Sequence, residues 1–236
     1  MSNKIGFGRD VADFLKEIGH MENGGDLALH GIRITALVPT GGDRVTVRIV
    51  ISNPAGREER EFVILKSHAE KMCLSIGEIY DELIDEIEYF ASVAKAYGSA
   101  CASFAYTPSS YSALFNKLLA KGFPKDVSLD AIDSLRCSGF VDESDIALRR
   151  AQIFVSRRWG RTRIIMKLRE EGFEDDSLTL TKNYLDSTDF AALCAEHICK
   201  KYGRVPEDEH SRKLMYASLS RMGYSLSNIN EAIKLI

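Results

Sequence analysis

No apolar run in the 236 residues approaches the roughly 18 to 20 needed to cross a bilayer. The opening Met1-Ser-Asn-Lys-Ile-Gly-Phe-Gly-Arg-Asp lacks the continuous apolar stretch of a secretory signal. A cytoplasmic address with no membrane partner is the expectation. Cysteine is sparse and follows no pairing pattern: Cys73, Cys101, Cys137, Cys194 and Cys199 form an odd set without a Cys-x-x-Cys. That pattern argues against a disulfide framework and reads as small apolar groups in a core. Catalytic combinations are missing as well. His20, His30, His68, His197 and His210 are scattered, and none has a nucleophile and an acid at motif spacing. Cys194, His197 and Cys199 share one predicted helix at steps of three and two, which cannot aim three ligands at one zinc ion. Pro39-Thr-Gly-Gly-Asp43 lacks the Gly-Lys-Ser/Thr end of a phosphate loop and suits a hairpin turn. An enzyme, metal or cofactor reading has no residues to rest on.

What is present is ample apolar material, 45% of the chain against 28% charged, enough for one or two domains with a real core. The net charge of −3 hides an asymmetry: residues 1–106 carry 11 Lys+Arg against 16 Asp+Glu, and residues 107–236 carry 20 against 18. Two modules of different charge are expected. Residues 1–30 contain a short amphipathic stretch near Asp10 to Ile18 and Gly24-Gly25, an extension of unassigned role. From Gly31 the period is two. Ile32 to Val38, Arg44 to Ile51 and Glu61 to Leu65 read as a three-stranded antiparallel meander, broken at Gly41-Gly42-Asp43 and Asn53-Pro54-Ala55-Gly56. So small a sheet needs helical cover. Lys66 to Leu74 reads as a short helix, and Ser75 to about Ala105 as a long one with Ile76, Ile79, Leu83, Ile87 and Phe90 on its apolar face. Its acidic residues, Glu78 to Glu88, spread along the helix as a solvated face.

The region from Thr107 onward repeats itself. Asn116 to Phe123, Met166 to Phe173 and Ala217 to Tyr224 align without gaps, and Gly122, Gly172 and Gly223 lie 50 and 51 residues apart. Each glycine follows a leucine (Leu118, Leu168, Leu219) by four positions and precedes an aromatic (Phe123, Phe173, Tyr224). The pattern predicts helices ended by a left-handed glycine, with the aromatic folded back as the cap's hydrophobic contact. A second helix follows, marked by Val127, Ala131, Ile132 and Leu135, and again by Ile229, Ala232, Ile233 and Ile236. Asp142-Glu-Ser-Asp145 and Asp186-Ser-Thr-Asp189 supply N-caps for third helices, Ile146 to Arg158 and Phe190 to Tyr202. The fold class is therefore mainly α: tandem three-helix repeats forming an elongated, slightly curved rod, preceded by the small antiparallel β segment with helical cover. The expected domains are residues 1–30, 31–106 and 107–236, with repeats at about 107–158, 159–209 and 210–236, the last cut short after two helices.

These residues resemble the RecX family of regulators of the RecA recombinase. Lys121-Gly122-Phe123 and Gly139-Phe-Val-Asp-Glu143 match its first repeat. Ile153-Phe-Val-Ser-Arg-Arg-Trp-Gly-Arg-Thr-Arg-Ile164, leading to Leu168 and Gly172-Phe173, is similar to its basic junction between repeats one and two, and Met222-Gly223-Tyr224 with Asn230-Glu-Ala-Ile233 to its last repeat. The resemblance covers residues 105–236 well and residues 32–104 in outline. The second repeat departs from the pattern at Thr179, Thr181, Lys182 and Asn183. The resemblance implies a monomeric, non-enzymatic protein that lies in the groove of RecA recombinase filaments. There it would lower ATPase, strand-exchange and coprotease activity, and so modulate recombination, DNA repair and the SOS response.

Between Ile146 and Arg169 stand Arg149, Arg150, Arg157, Arg158, Arg161, Arg163, Lys167 and Arg169 with no acid. On a helix from Ile146, Arg149, Arg150 and Arg157 share an arc of roughly 100° opposite Ala147, Leu148, Ala151, Phe154 and Val155. Arg163 and Lys167 form a second stripe on the next helix. Such stripes suit an acidic protein groove or a phosphate backbone, single- or double-stranded DNA included, where arginine pairs bidentately. The bland alternative is a solvated face; the run of basic residues in an otherwise acidic chain favours binding. Lys117 and Lys121 form a smaller basic patch in repeat one. Trp159, the only tryptophan, reads as a packing residue, with base stacking or a partner contact as its other reading. The rival to the RecA reading is a general DNA-binding module using the same arginines.

Overall fold

The structure is a computed structural model that describes residues 31–54 and 56–236. The extension, with its expected helix near Asp10 to Ile18, and the turn position Ala55 lie outside the described residues. The β-branched segments form strands β1 (Gly31–Pro39), β2 (Arg44–Asn53) and β3 (Gly56–Leu65). They pair antiparallel, and the strand order is β3-β2-β1-β4. The fourth strand corrects the sequence reading of a three-stranded meander. β4 (Gly77–Ile79) pairs with β1 through Ile32↔Ile79 and Ile34↔Gly77, in a stretch read as the start of the long helix. Gly77 has φ 151°, which no helix accommodates. The open edge of β1 gains partners that a helix starting at Ser75 would deny it. The helix instead begins at Asp81, where Asp81 and Glu82 sit in the first turn and complement the helix dipole.

Ile34, Val47, Ile49 and Ile64 are wholly buried on the inner face of the sheet. A register shift between Ile34 and Ala36 turns Leu37, also buried, to the same side. Helices α1 (Lys66–Lys71) and α2 (Asp81–Tyr106) supply the cover. Arg60 of β3 pairs with Glu88 at 3.2 Å, and His68 of α1 lies 4.2 Å from the Phe90 ring. Asp81, Glu82, Asp85 and Glu86 are exposed, as the solvated-face reading requires.

Eight more helices follow: α3 (Tyr111–Ala120), α4 (Lys125–Ser138), α5 (Glu143–Ser156), α6 (Arg161–Glu170), α7 (Thr179–Asp186), α8 (Phe190–Tyr202), α9 (Glu209–Arg221) and α10 (Leu226–Lys234). No helix among the described residues is long and apolar enough to cross a membrane. Backbone contacts divide the chain into two compact units. One holds the residues through Gly98 with Pro124–Ala131; the other holds Ser99–Phe123 with Ile132–Ile236. In the first, Tyr89 of α2 donates to Asp130 of α4 at 2.8 Å.

The second unit carries the repetition. Gly122, Gly172 and Gly223 have φ 88°, 85° and 92°, each just beyond a helix end, as their spacing predicts. The same two hydrogen bonds close all three ends. The glycine N–H donates to Leu119, Arg169 or Ser220 at 2.9 Å, and the following aromatic N–H donates to Leu118, Leu168 or Leu219 at 3.1 to 3.2 Å. Phe173 and Tyr224 are buried. The third helices are capped as expected: Asp142 accepts from the Asp145 N–H at 3.1 Å, and Asp189 from the Ala192 N–H at 2.9 Å. The second repeat is irregular just before the positions where its sequence departs from pattern; Thr179, Thr181, Lys182 and Asn183 themselves are helical. Residues 175–178 form turns, and α7 starts only at Thr179, anchored by buried Leu178 and Leu185.

First helices meet end to end across neighbouring repeats. At the joint of α6 with α9, the Gly160 N–H donates to Met222 O at 2.8 Å and the Thr162 N–H to Gly223 O at 3.2 Å. The unpaired donors of one helix start thus satisfy the unpaired acceptors of another helix end. At the joint of α3 with α6, Ser110 Oγ donates to Glu171 O at 2.6 Å while capping the Ala113 N–H. The glycines differ in what surrounds them. A Cβ on Gly122 would meet nothing within 4 Å, whereas a Cβ on Gly160 would lie 2.1 Å from Gly223 C. Gly122→Ala is therefore expected to cost roughly 1 kcal/mol, the strain of a left-handed alanine. Gly160→Ala should cost on the order of 3 kcal/mol, because backbone must move. Urea unfolding of the two variants measures the difference, and equal costs would contradict this joint.

Candidate partner-binding surface

The basic run spans α5, the turn after it and α6; Arg158 and Arg163 lie at the joint of α6 with α9, and Arg150 reaches the joint of α3 with α6. Helix α5 ends in the same two-bond cap as the first helices: the Arg158 N–H donates to Val155 O at 2.8 Å and the Trp159 N–H to Phe154 O at 3.1 Å. Here the left-handed position is held by Arg158, φ 57°, not by glycine. The geometry aims Trp159 back at its own helix. Its indole lies parallel to the Phe154 ring, with centroids 4.6 Å apart, and the Arg163 guanidinium covers the indole at 4.0 Å. Arg163 Nη1 also reaches Met222 Sδ at 3.1 Å, and Tyr224 donates its hydroxyl hydrogen to Arg158 O at 2.7 Å. Trp159 is stacked on Phe154 and capped by Arg163, contacts that favour the packing reading over base stacking. Burial pushes the Tyr224 hydroxyl well above the ordinary tyrosine range.

Six of the eight basic residues face carboxylates, two of them one helical turn away and four contributed by more distant residues. Arg149 pairs with Asp145 at 2.8 Å, Arg158 with Glu196 at 3.0 Å and Arg161 with Asp186 at 2.7 Å. Lys167 pairs with Glu170 at 3.4 Å, Arg169 with Asp175 at 3.0 Å and Arg150 with Glu171 at 3.6 Å. Arg150 donates to Pro108 O as well, at 3.3 Å. Asp175 is held down at about 2 by hydrogen bonds from Lys182 and Arg169 and by their charges. Arg157, exposed at the C-terminal end of α5, and Arg163 have no carboxylate within 4 Å among the described residues. The stretch is acid-free in sequence but largely compensated in space. These ion pairs are mostly exposed and each is worth at most about 1 kcal/mol, so an anionic partner exchanges them at little cost. Lys117 lies apart on α3, donating to Ser109 Oγ at 3.2 Å, and Lys121 donates to Ser99 and Ser103 of α2 at 2.7 and 3.0 Å.

Sequence reasoning missed Gly160, Glu196 and Met222, and it read Tyr224 only as a cap contact. The adjacent Trp159-Gly160 pair was the available signal, an aromatic beside the one residue that tolerates a backbone at 2.1 Å. Among the described residues no group of three His, Cys, Asp or Glu is placed to hold a metal ion. Of the five cysteines read as core groups only Cys194 is buried, with desolvation pushing its thiol up to about 11; Cys73, Cys137 and Cys199 are exposed and Cys101 is half-buried.

No family profile matches the sequence, and no curated protein matches it. Solved structures do. The chain superposes on a crystal structure of regulatory protein RecX with a TM-score of 0.60 at 20% identity, covering 87% of this chain and all of that one. It superposes on RecX from Lactobacillus salivarius with a TM-score of 0.50 at 19% identity, covering 61% of this chain and 98% of that one. The chain has the RecX fold: helical repeats preceded by a small antiparallel sheet.

Two outcomes test this surface. Arg158→Gly relieves a left-handed arginine while losing one exposed pair, so its stability should stay within about 1 kcal/mol of the parent. Trp159→Ala should lose on the order of 2 to 3 kcal/mol in the same denaturant titration. His197 on α8 provides a pH signature. Burial and the charges of Lys201, Arg158 and Lys200 hold it below the ordinary histidine range. The folded protein therefore binds this proton less readily than the unfolded chain. The contribution is intact above about pH 6.5 and is lost as the pH falls below it. His197→Gln should flatten that part of a thermal stability–pH profile; an unchanged slope would contradict the assignment.

Proposed function

We propose that this chain is a regulator of a RecA-type recombinase, binding in the groove of the recombinase filament and lowering its activity by occupancy. No chemistry is required of it. The repeats of residues 107–236 carry the contact surface, and the sheet-bearing part adjusts position or affinity. The observation that carries the reading is the likeness to RecX over the whole length of a solved RecX chain. The basic surface supports it independently. Arg149, Arg150, Arg157, Arg158, Arg161, Arg163 and Lys167 gather across α5, the following turn and α6. Their weak ion pairs leave them available to acidic side chains of a filament or to the phosphates of the DNA within it. Steric occupancy of a groove would hinder strand exchange and coprotease substrates together.

The arginines are not equivalent as test positions. Arg163 is half-buried on Trp159, so reversing its charge disturbs the joint and confuses folding with binding. Arg149, with 74% of its side chain exposed, and Arg157 are free of that difficulty. Recombinase ATPase on single-stranded DNA, titrated with the full-length protein, should fall. Arg149→Glu/Arg157→Glu should retain its helical circular dichroism and inhibit about tenfold more weakly. Arg57→Glu on β3 should inhibit like the parent. Full inhibition by the folded double variant would overturn the placement of the surface. Binding to DNA without binding to the recombinase would establish the general DNA-binding reading instead.

A further inference from the structure

We propose that the open pocket at the joint of α3 with α6 is a binding site for a planar aromatic group that carries a cationic donor. The site borders the basic surface at Arg150 and Lys117 and does not depend on the recombinase reading. Its volume is about 420 Å³, and its walls include Ser109, Ala113, Lys117, Arg150, Glu171 and Phe173.

The second joint shows what such a space accepts. A shift of 50 residues lays α3 on α6, from Tyr111–Ala120 to Arg161–Glu170, and brings Ser109 onto Trp159 and Ala113 onto Arg163. The position of Glu171 corresponds, 51 residues on, to Met222. At the second joint the indole of Trp159 and the guanidinium of Arg163 stack on each other at 4.0 Å, and Arg163 Nη1 contacts Met222 Sδ at 3.1 Å. At the first joint the helix ends are kept and the fillers are gone. A serine hydroxyl and an alanine methyl stand where an indole and a guanidinium would be.

The carboxylate of Glu171 sharpens the ligand's chemistry. Its Oε2 is buried and has no hydrogen-bond partner among the described residues; the nearest cation, Arg150 Nη1, stands 3.6 Å away, beyond hydrogen-bond reach. Arg150 Nη2 donates to Pro108 O at 3.3 Å, which holds Nη1 short of Glu171, and Lys117 donates to Ser109 Oγ at 3.2 Å. An acceptor therefore waits at the place where the homologous position receives a guanidinium. The ion pair with Arg150 balances the charge of Glu171 without giving Oε2 a hydrogen bond, and a ligand that supplies one completes it. A flat ring fills the indole's place beside Phe173, and an amidinium, guanidinium or ammonium on it reaches Glu171. The same chemistry is offered by a free aryl cation or by neighbouring Trp and Arg side chains of a partner protein.

The experiment titrates the ¹⁵N-labelled full-length protein with benzamidine and, separately, with an acetylated Trp-Ala-Ala-Ala-Arg amide. Saturable amide shifts confined to residues 109–117 and 170–173 are expected. Tighter binding of benzamidine assigns the site to small ligands, and tighter binding of the peptide assigns it to a protein partner. Glu171→Gln should bind at least tenfold more weakly, and Ser109→Trp/Ala113→Arg, which copies the second joint into the first, should abolish the shifts. No saturable shifts below about 10 mM, or the same shifts with Glu171→Gln, would overturn the proposal.

Discussion

The second unit depends on one recurring solution to one problem: where the unpaired backbone groups at helix ends go. A helix leaves its first N–H groups and last carbonyls without internal partners. Three first helices solve half of this with a left-handed glycine that folds the chain back onto its own last turn. The rest is solved between repeats. Met222 O and Gly223 O accept from Gly160 and Thr162, and Glu171 O accepts from Ser110. Donor ends meet acceptor ends, so the partial charges of the two helix dipoles attract. Because backbone approaches backbone, side chains must be absent at the contact: a Cβ at Gly160 or Gly223 would lie within 2.5 Å of its neighbour. Gly223 is thus fixed twice over, by conformation and by proximity, whereas Gly160, at φ −77°, is fixed by proximity alone and Gly122 by conformation alone.

This explains which parts of the fold were legible in the sequence. Gly122, Gly172 and Gly223 announce themselves because a left-handed position strongly prefers glycine. Asp142 and Asp189 announce themselves because short acceptors favour N-caps. Arg158 occupies the same cap geometry with no such signature, since its strain is offset by tertiary contacts from Tyr224 and Glu196 rather than by local preference. Strand β4 was hidden for a related reason. Ile76, Ile79 and Leu83 satisfy a helical period by themselves, and only the needs of the β1 edge, far away in sequence, decide otherwise.

The basic cluster was legible in position and not in its net charge. Eight basic residues in a row with no acid predict a strong positive field, yet Asp145, Glu170, Glu171, Asp175, Asp186 and Glu196 stand within 4 Å of six of them. Sequence windows count charge along the chain, whereas the field depends on neighbours in space. The functional implication changes in kind. A bare basic stripe attracts any polyanion; a compensated one favours a partner whose own charges replace each released carboxylate at a defined position.

The two joints share a backbone arrangement and differ in what surrounds it. The backbone at a joint is specified by glycine or serine at the contact and by the buried pairs Leu114 with Leu118 and Ile164 with Leu168. The residues around it are free to differ without loss of the fold. In the second joint that freedom went into Phe154, Trp159 and Arg163, a stack that holds the turn bearing Arg157 and Arg158 in place. In the first it left small residues, an open volume and a carboxylate oxygen without a donor. A repeat protein separates stability from recognition in this way: the ends of its helices hold the repeats together, and the space beside each pair of ends is where one repeat acquires a task that its neighbour does not have.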